Sequence, residues 1–197
     1  MNEIKTYCQW LQRFTCLVGL LVIFPVSTEA DEEEQIWSAL RNGGHVALLR
    51  HALAPGIGDP PQFNLEDCAS QRNLSEEGRQ QAKRIGDRLR ANGIDSAELY
   101  SSEWCRCLDT AQLLDLGAVQ PLEPLNSFFQ KFEQREQQTA ELEHWMRSQA
   151  LDRPVLLVTH QVNISALTGA FTSSGELVVV KVPAEGSIQF VGSINTM

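Results

Sequence analysis

The sequence predicts an α/β domain: a three-layer sandwich with a mostly parallel central sheet flanked by helices. Three observations point to it. Two continuous apolar runs, Val46-Ala47-Leu48-Leu49 and Val155-Leu156-Leu157-Val158, have the length and composition of strands buried on both faces. Segments with apolar residues at helical spacing alternate with such runs, as in parallel sheets joined by helices. The chain has 197 residues, 43% apolar and 21% charged, which suits one domain with a core of its own.

A short helix is expected over 36–40, stopped by Asn42-Gly43-Gly44. The first strand follows and ends in Arg50-His51. Residues 52–73 form a long connection holding Pro55, Gly56, Gly58, Pro60 and Pro61, and ordered loops of such length are often functional. Ser75 caps a helix reaching about Ala91, with Glu76 and Glu77 at its positive end and Ala82, Ile85 and Leu89 on one stripe. Residues 98–102 read as a second strand and 104–114 as a helix. Pro121 and Pro124 mark a connection. A polar helix is expected over 133–149, with Leu142, Trp145 and Met146 on one side, then a strand over 155–160 and a short helix over 163–170. Residues 177–182 and 187–191 read as two closing strands. Asn73 and Asn163 match glycosylation sequons, but both fall at expected helix starts, where capping explains them.

The N-terminus reads differently. Lys5 and Arg13 precede a charge-free apolar run over 14–26. Ser27-Thr28-Glu29-Ala30 then offers small residues at the third and first positions before a cut. This is the pattern of a secretory signal peptide over 1–30, leaving a domain over 31–197 that is periplasmic or secreted, with no stable membrane insertion after cleavage. The run is short of the roughly 20 apolar residues of a spanning helix, although an uncleaved anchor is the competing reading. Cys8 and Cys16 leave with that segment. Among Cys68, Cys105 and Cys107, a bridge from Cys68 to one of the other two is expected, leaving one thiol. Cys-x-Cys without clustered His lacks a zinc ligand set, so no metal is expected. The net charge of -9 argues against a nucleic-acid partner but permits a small anionic one where arginines cluster.

They do cluster. In parallel sheets, ligands sit beyond the carboxyl ends of strands. The first strand ends at Arg50-His51, the second at Ser101-Ser102 four residues before Arg106, and a third at His160. Two arginines and two histidines on one rim suit a phosphoryl group. Arg bonds phosphate oxygens bidentately, neutral imidazole can attack phosphorus, and a protonated His160 could donate to an oxygen if anions raise its pKa. His45, at the wrong strand end, and His144, in the polar helix, read as packing or solvated residues. Arg72 is read equally as a loop ion pair or a substrate contact.

Leu49-Arg50-His51-Ala52 resembles the Arg-His-Gly motif of the histidine phosphatase superfamily, the phosphoglycerate mutase-like family. The stretch from Ser101 to Ala111 is similar to its second-Arg motif, Val158-Thr159-His160 to its second-His motif, and Asn73-Leu74-Ser75 with Gly78, Gln81 and Ala82 to the start of its first helix. The resemblance, to an exported bacterial type of member, spans about His45 to Ala170. It implies a phosphatase in which His51 becomes phosphorylated, Arg50 and Arg106 hold the phosphoryl oxygens and His160 completes the pocket. It implies a small phosphorylated substrate and neither cofactor nor metal. The sequence is silent on oligomeric state. Two departures stand out. Ala52 replaces a glycine, and Leu125-Asn126-Ser127 and Gln161 stand where members carry a general acid. Asp59, Asp67, Glu103 and Glu133 are the substitutes available. The alternatives are a phosphate-ligand binding protein that has lost catalysis, and a phosphotransferase or mutase.

Overall fold

The computed structural model describes residues 29–196. The expected signal segment lies outside the described residues, except for Glu29 and Ala30 at the start of the first helix. Among the described residues, no helix is long and apolar enough to cross a membrane.

Six strands form one sheet in the order β3-β2-β4-β1-β5-β6. They are β1 (His45–Arg50), β2 (Glu98–Ser101), β3 (Val119–Pro121), β4 (Val155–Thr159), β5 (Leu177–Lys181) and β6 (Gln189–Ile194). The first four are mutually parallel, and β5 and β6 close the sheet as antiparallel neighbours. Among the described residues, five α-helices flank it: α1 (Glu29–Arg41), α2 (Glu76–Ala91), α3 (Cys105–Leu114), α4 (Arg135–Ser148) and α5 (Gln161–Thr168).

The continuous apolar runs resolve into two faces. Ala47, Leu49, Leu99, Leu156 and Val158 meet Ile36, Trp37 and Leu40 of α1, Ile85 and Leu89 of α2, and Ala111 and Leu114 of α3. Val46, Leu48, Leu157, Val178 and Val180 meet Leu142 and Met146 of α4 and Ile164 of α5. The expected three layers are therefore present, with both faces of the sheet covered. Each fully buried Leu or Val contributes about 1.5–3 kcal/mol of transfer free energy.

Four elements differ from expectation. α1 is longer, because Glu29, Asp31 and Glu32 suit its positive end and extend it beyond its apolar stripe. β3 was not expected: a three-residue edge strand shows no periodicity, and its Pro121 sits at its end, where no further partner is needed. β6 runs later than expected. α5 begins directly after His160, which is its N-cap. Asn163 is therefore no cap. Its buried amide donates to Thr159 Oγ1 at 2.9 Å and the Asn126 carbonyl at 3.0 Å. Ser75 does cap α2, accepting from Gly78 N at 3.0 Å.

The long connection from β1 to α2 is tightly held. Gly78 allows α2 to press on it, since a Cβ there would lie 2.0 Å from the Leu53 carbonyl oxygen. The Gln71 side chain accepts from Cys105 N and donates to the Asn64 and Leu65 carbonyls. A disulfide joins Cys68 to Cys105 at the start of α3, with the Cα atoms 5.7 Å apart. The leftover thiol is Cys107, buried and unbridged, whose pKa burial pushes up to about 12. In Cys68→Ser, the unfolding free energy should fall by about 2–4 kcal/mol in non-reducing denaturant titrations. A loss below about 0.5 kcal/mol would mean that the polar contacts alone hold the loop.

Candidate functional site

The parallel pairing sets three strand ends side by side. Arg50 is in register with Thr159, and Ser101 with Val158, so β1, β4 and β2 finish at one level. Arg50, His51, Arg106 and His160 all line one cavity of about 280 Å³ beyond those ends. This is near the lower bound of ordinary small-molecule sites, roughly 300–1,000 Å³. All four residues that the sequence singled out are brought together.

His51 is 2% exposed. Its backbone N–H continues the ladder to the Thr159 carbonyl, and its ring Nδ1 lies 2.8 Å from the Ala52 carbonyl oxygen. A carbonyl only accepts, so Nδ1 carries the hydrogen and Nε2 keeps its lone pair. Burial first, then the charge of Arg106, hold the ring's pKa well below its ordinary value. Ala52 is itself buried and donates its N–H to Thr110 Oγ1, so its methyl group fits the packed core at the site.

His160 is fixed by a chain of polar groups. Arg106 Nη2 donates to Nδ1 at 3.3 Å, and Nε2 lies 2.8 Å from Ser102 Oγ. Ser102 donates to Asn126 Oδ1, which also accepts from Glu103 N, while Asn126 Nδ2 donates to the Glu103 carboxylate. Guanidinium can only donate, so Nδ1 is the acceptor and Nε2–H donates to Ser102. Without a ligand the His160 ring is neutral. Burial, then Arg106, keep its pKa well below the ordinary range, so the expected charged donor is absent from the resting site. Among the described residues, the groups acting on the ring are Arg106, His51, Arg72 and Arg50, all of which lower its pKa.

Arg106 is the hub. It is 2% exposed and pairs through Nη1 with Asp59 at 2.8 Å, a fully buried ion pair. Asp59 also accepts from Trp104 Nε1 at 3.0 Å and from Arg72 N at 3.1 Å. Burial alone would raise its carboxyl pKa, but Arg106 and these donors hold it below the usual value. The Nε–H groups of Arg50 and Arg106 are buried with no protein partner. Buried donors are rarely left so, and both side chains line the cavity.

Of the four substitute acids, Asp59 alone lines this cavity. Asp67 caps a 3-10 turn, Glu103 binds Asn126, and Glu133 lies on an exposed turn. Asn126 and Gln161, which stand where an acid was sought, are positioning groups: Asn126 for Ser102, and Gln161 for the segment around Thr172. Arg72 resolves to the cavity wall. Its guanidinium binds the Gly58 and Ala54 carbonyls while its backbone N–H binds Asp59. Its only sequence signal was its place just before the α2 cap. Trp104 also lines the wall.

Comparison with known proteins agrees with this geometry. The model of the histidine phosphatase superfamily (branch 1) matches residues 46–145, which include Arg50, His51 and Arg106. No curated protein sequence matches. Solved structures share the fold at low identity. The protein histidine phosphatase SixA complexed with tungstate is 14% identical, with a TM-score of 0.57, covering 77% of this chain and 97% of that one. A phosphoserine phosphatase from Entamoeba histolytica is 12% identical, with a TM-score of 0.55, covering 77% and 96%. A mycobacterial glucosyl-3-phosphoglycerate phosphatase is 19% identical, with a TM-score of 0.50, covering 69% and 89%. With the family model spanning half of its length and the same fold beneath it, this chain belongs to the histidine phosphatase superfamily.

Proposed function

We propose that the protein is a metal-independent phosphatase that hydrolyses a phosphomonoester or activated phosphate through a phosphohistidine at His51. One observation carries the reading. A neutral His51, its Nδ1–H fixed on the Ala52 carbonyl, presents a free Nε2 lone pair to a cavity holding two arginines with unpartnered Nε–H donors. Nε2 attacks phosphorus, the P–O bond to the leaving group breaks, and Arg50 and Arg106 stabilise charge on the remaining oxygens. Water then attacks the phosphohistidine, releasing phosphate and restoring the ring.

Asp59 is the carboxyl group placed to serve the leaving oxygen. At rest, Arg106 keeps it ionised. A phosphoryl dianion takes up that guanidinium and adds like charge, so burial prevails and the carboxyl gains a proton. That proton goes to the leaving oxygen, and the carboxylate then accepts one from the attacking water. The same dianion lets His160 Nδ1 gain a proton and donate to a phosphoryl oxygen. We place the protein in the periplasm or outside the cell, a reading that rests on the basic, apolar and small-residue pattern of residues 1–30 and is supported by the disulfide.

His51→Ala should abolish phosphate release from phenyl phosphate and an acyl phosphate, in buffer and equally in EDTA. Wild type should form an acid-labile, alkali-stable phosphoenzyme that the variant lacks. Activity surviving in the variant would sink the mechanism, and phosphate binding without turnover in wild type would favour a binding protein. Asp59→Asn should lower kcat for alkyl phosphates about 10²–10⁴-fold while changing acyl phosphate hydrolysis far less. Equal losses on both would make Asp59 a positioning residue for Arg106. The depressed pKa values also fix a sign. In phosphate-free protein, NMR should show both rings neutral as pH falls through 6.5, the ordinary imidazole value. Added phosphate should raise the titration of His160. A ring that protonates near 6.5 without phosphate contradicts this account of its burial.

A further inference from the structure

We infer that the mouth of the cavity binds an apolar leaving group, so that the substrate is the phosphomonoester of a lipid-like or alkyl-aromatic alcohol. The inference rests on the reading above for the phosphoryl end only.

The cavity has two chemically different ends. Its floor holds Arg50, Arg72, Arg106, Asp59 and the two histidines. At its mouth stand Ile57, Phe129 and Phe171, which are 90%, 41% and 86% exposed. They come from three separate segments: the β1–α2 connection, the connection before α4, and the α5–β5 connection. Phe132, 59% exposed, extends the patch by packing on Phe129 with ring centroids 5.9 Å apart. Among the described residues, the remaining large exposed apolar side chains, Phe190 and Val191, lie on the edge strand β6. Single exposed apolar residues are ordinary, but convergence of several on the rim of a charged cavity marks a binding surface.

The loop is built to hold Ile57 outward. Gly56 and Gly58 on either side have φ of +97° and +68°, left-handed conformations that residues with side chains rarely adopt. A Cβ on Gly58 would sit 3.7 Å from the Phe129 ring, so the two rim segments touch.

Polar groups at the mouth are mostly engaged already. Gln130 Nε2 donates to the Asp59 carbonyl, and the Gln161 amide binds Ser165 and Thr172. A sugar or other polyol leaving group would lose water there and find few partners, an outcome that costs affinity. A hydrocarbon chain needs none and would cover surface that now faces water. The continuity of apolar rim and phosphoryl floor thus selects an amphiphile, with its phosphate inward.

The test is calorimetric titration of the purified protein with n-alkylphosphonates, from methyl to hexyl, as monomers below their micelle concentrations. These ligands keep the phosphoryl end constant, have no scissile ester and report binding without turnover. Failure of catalysis in the His51 experiments and failure of this inference are therefore distinguishable. Kd should fall by up to about fourfold per added methylene. In Ile57→Ser/Phe171→Ser the dependence should shrink below about twofold per methylene, while Kd for methylphosphonate and inorganic phosphate stays unchanged, showing an intact floor. A Kd that is flat along the series in wild type overturns the inference. So does a polyol phosphonate of equal size binding as tightly as the hexyl compound. Absence of binding by every phosphonate and by phosphate overturns both this inference and the phosphoryl reading beneath it.

Discussion

The site depends on one buried guanidinium. Arg106 lies at the start of α3, out of water, and a bare cation there would be costly. The structure answers with Asp59 on one side and the lone pair of His160 Nδ1 on the other. Each answer constrains another part of the molecule. Asp59 can reach Arg106 only if the β1–α2 connection folds back over the strand ends. The Cys68–Cys105 bridge, the Gln71 amide and the Arg72 contacts fix that path. His160 must present Nδ1, so its other nitrogen must face Ser102, whose hydroxyl is directed by Asn126. The same charge helps to keep both imidazoles neutral. A neutral His51 ring with its Nε2 lone pair intact and a buried cation beside it therefore share one cause.

Much of this was legible in the sequence, for reasons that differ by element. β1 and β4 were plain because a strand buried on both faces must be apolar throughout, and few other structures demand this. Their ends could then be read to within one residue, and with them Arg50, His51 and His160. Arg106 followed from its short distance to the end of β2. The edge strand β3 was not legible. With three residues and a terminal proline, it draws its existence from the neighbouring β2 rather than from its own pattern. The start of α5 was misplaced for a related reason: the helix starts from the backbone of His160, so Asn163, a good cap by type, lies inside it and serves Asn126 instead.

The role of Asp59 shows where single-sequence reading stops. It sits 47 residues from Arg106, in a stretch with no periodicity, and four acidic residues looked equally able to enter the site. Only the path of the connection separates them. Asp67 is turned into a local cap and Glu103 toward Asn126, while Asp59 alone follows the two glycines into the cavity. Arg72 was hidden in the same way. Its side chain binds carbonyls of its own loop, and that is how the loop acquires a wall of the cavity.

An acidic protein that takes up an anion poses an apparent conflict, and the geometry removes it. The net charge of -9 is a sum over the whole sequence, not a description of the cavity. At physiological ionic strength, exposed charges are screened beyond about 8 Å, so most of them act weakly on a ligand inside the cavity. There the near field belongs to Arg50, Arg72 and Arg106, two of them about half-buried and one fully buried, against the carboxylate of Asp59 in the cavity wall and that of Glu176 near Arg50. Low local dielectric strengthens that near field, and the Nε–H groups of Arg50 and Arg106 have no partner of their own among the described residues. The acidic exterior repels anions that only approach. The buried arginines reward one that enters far enough to replace the carboxylate, which is the step that would also put a proton on Asp59.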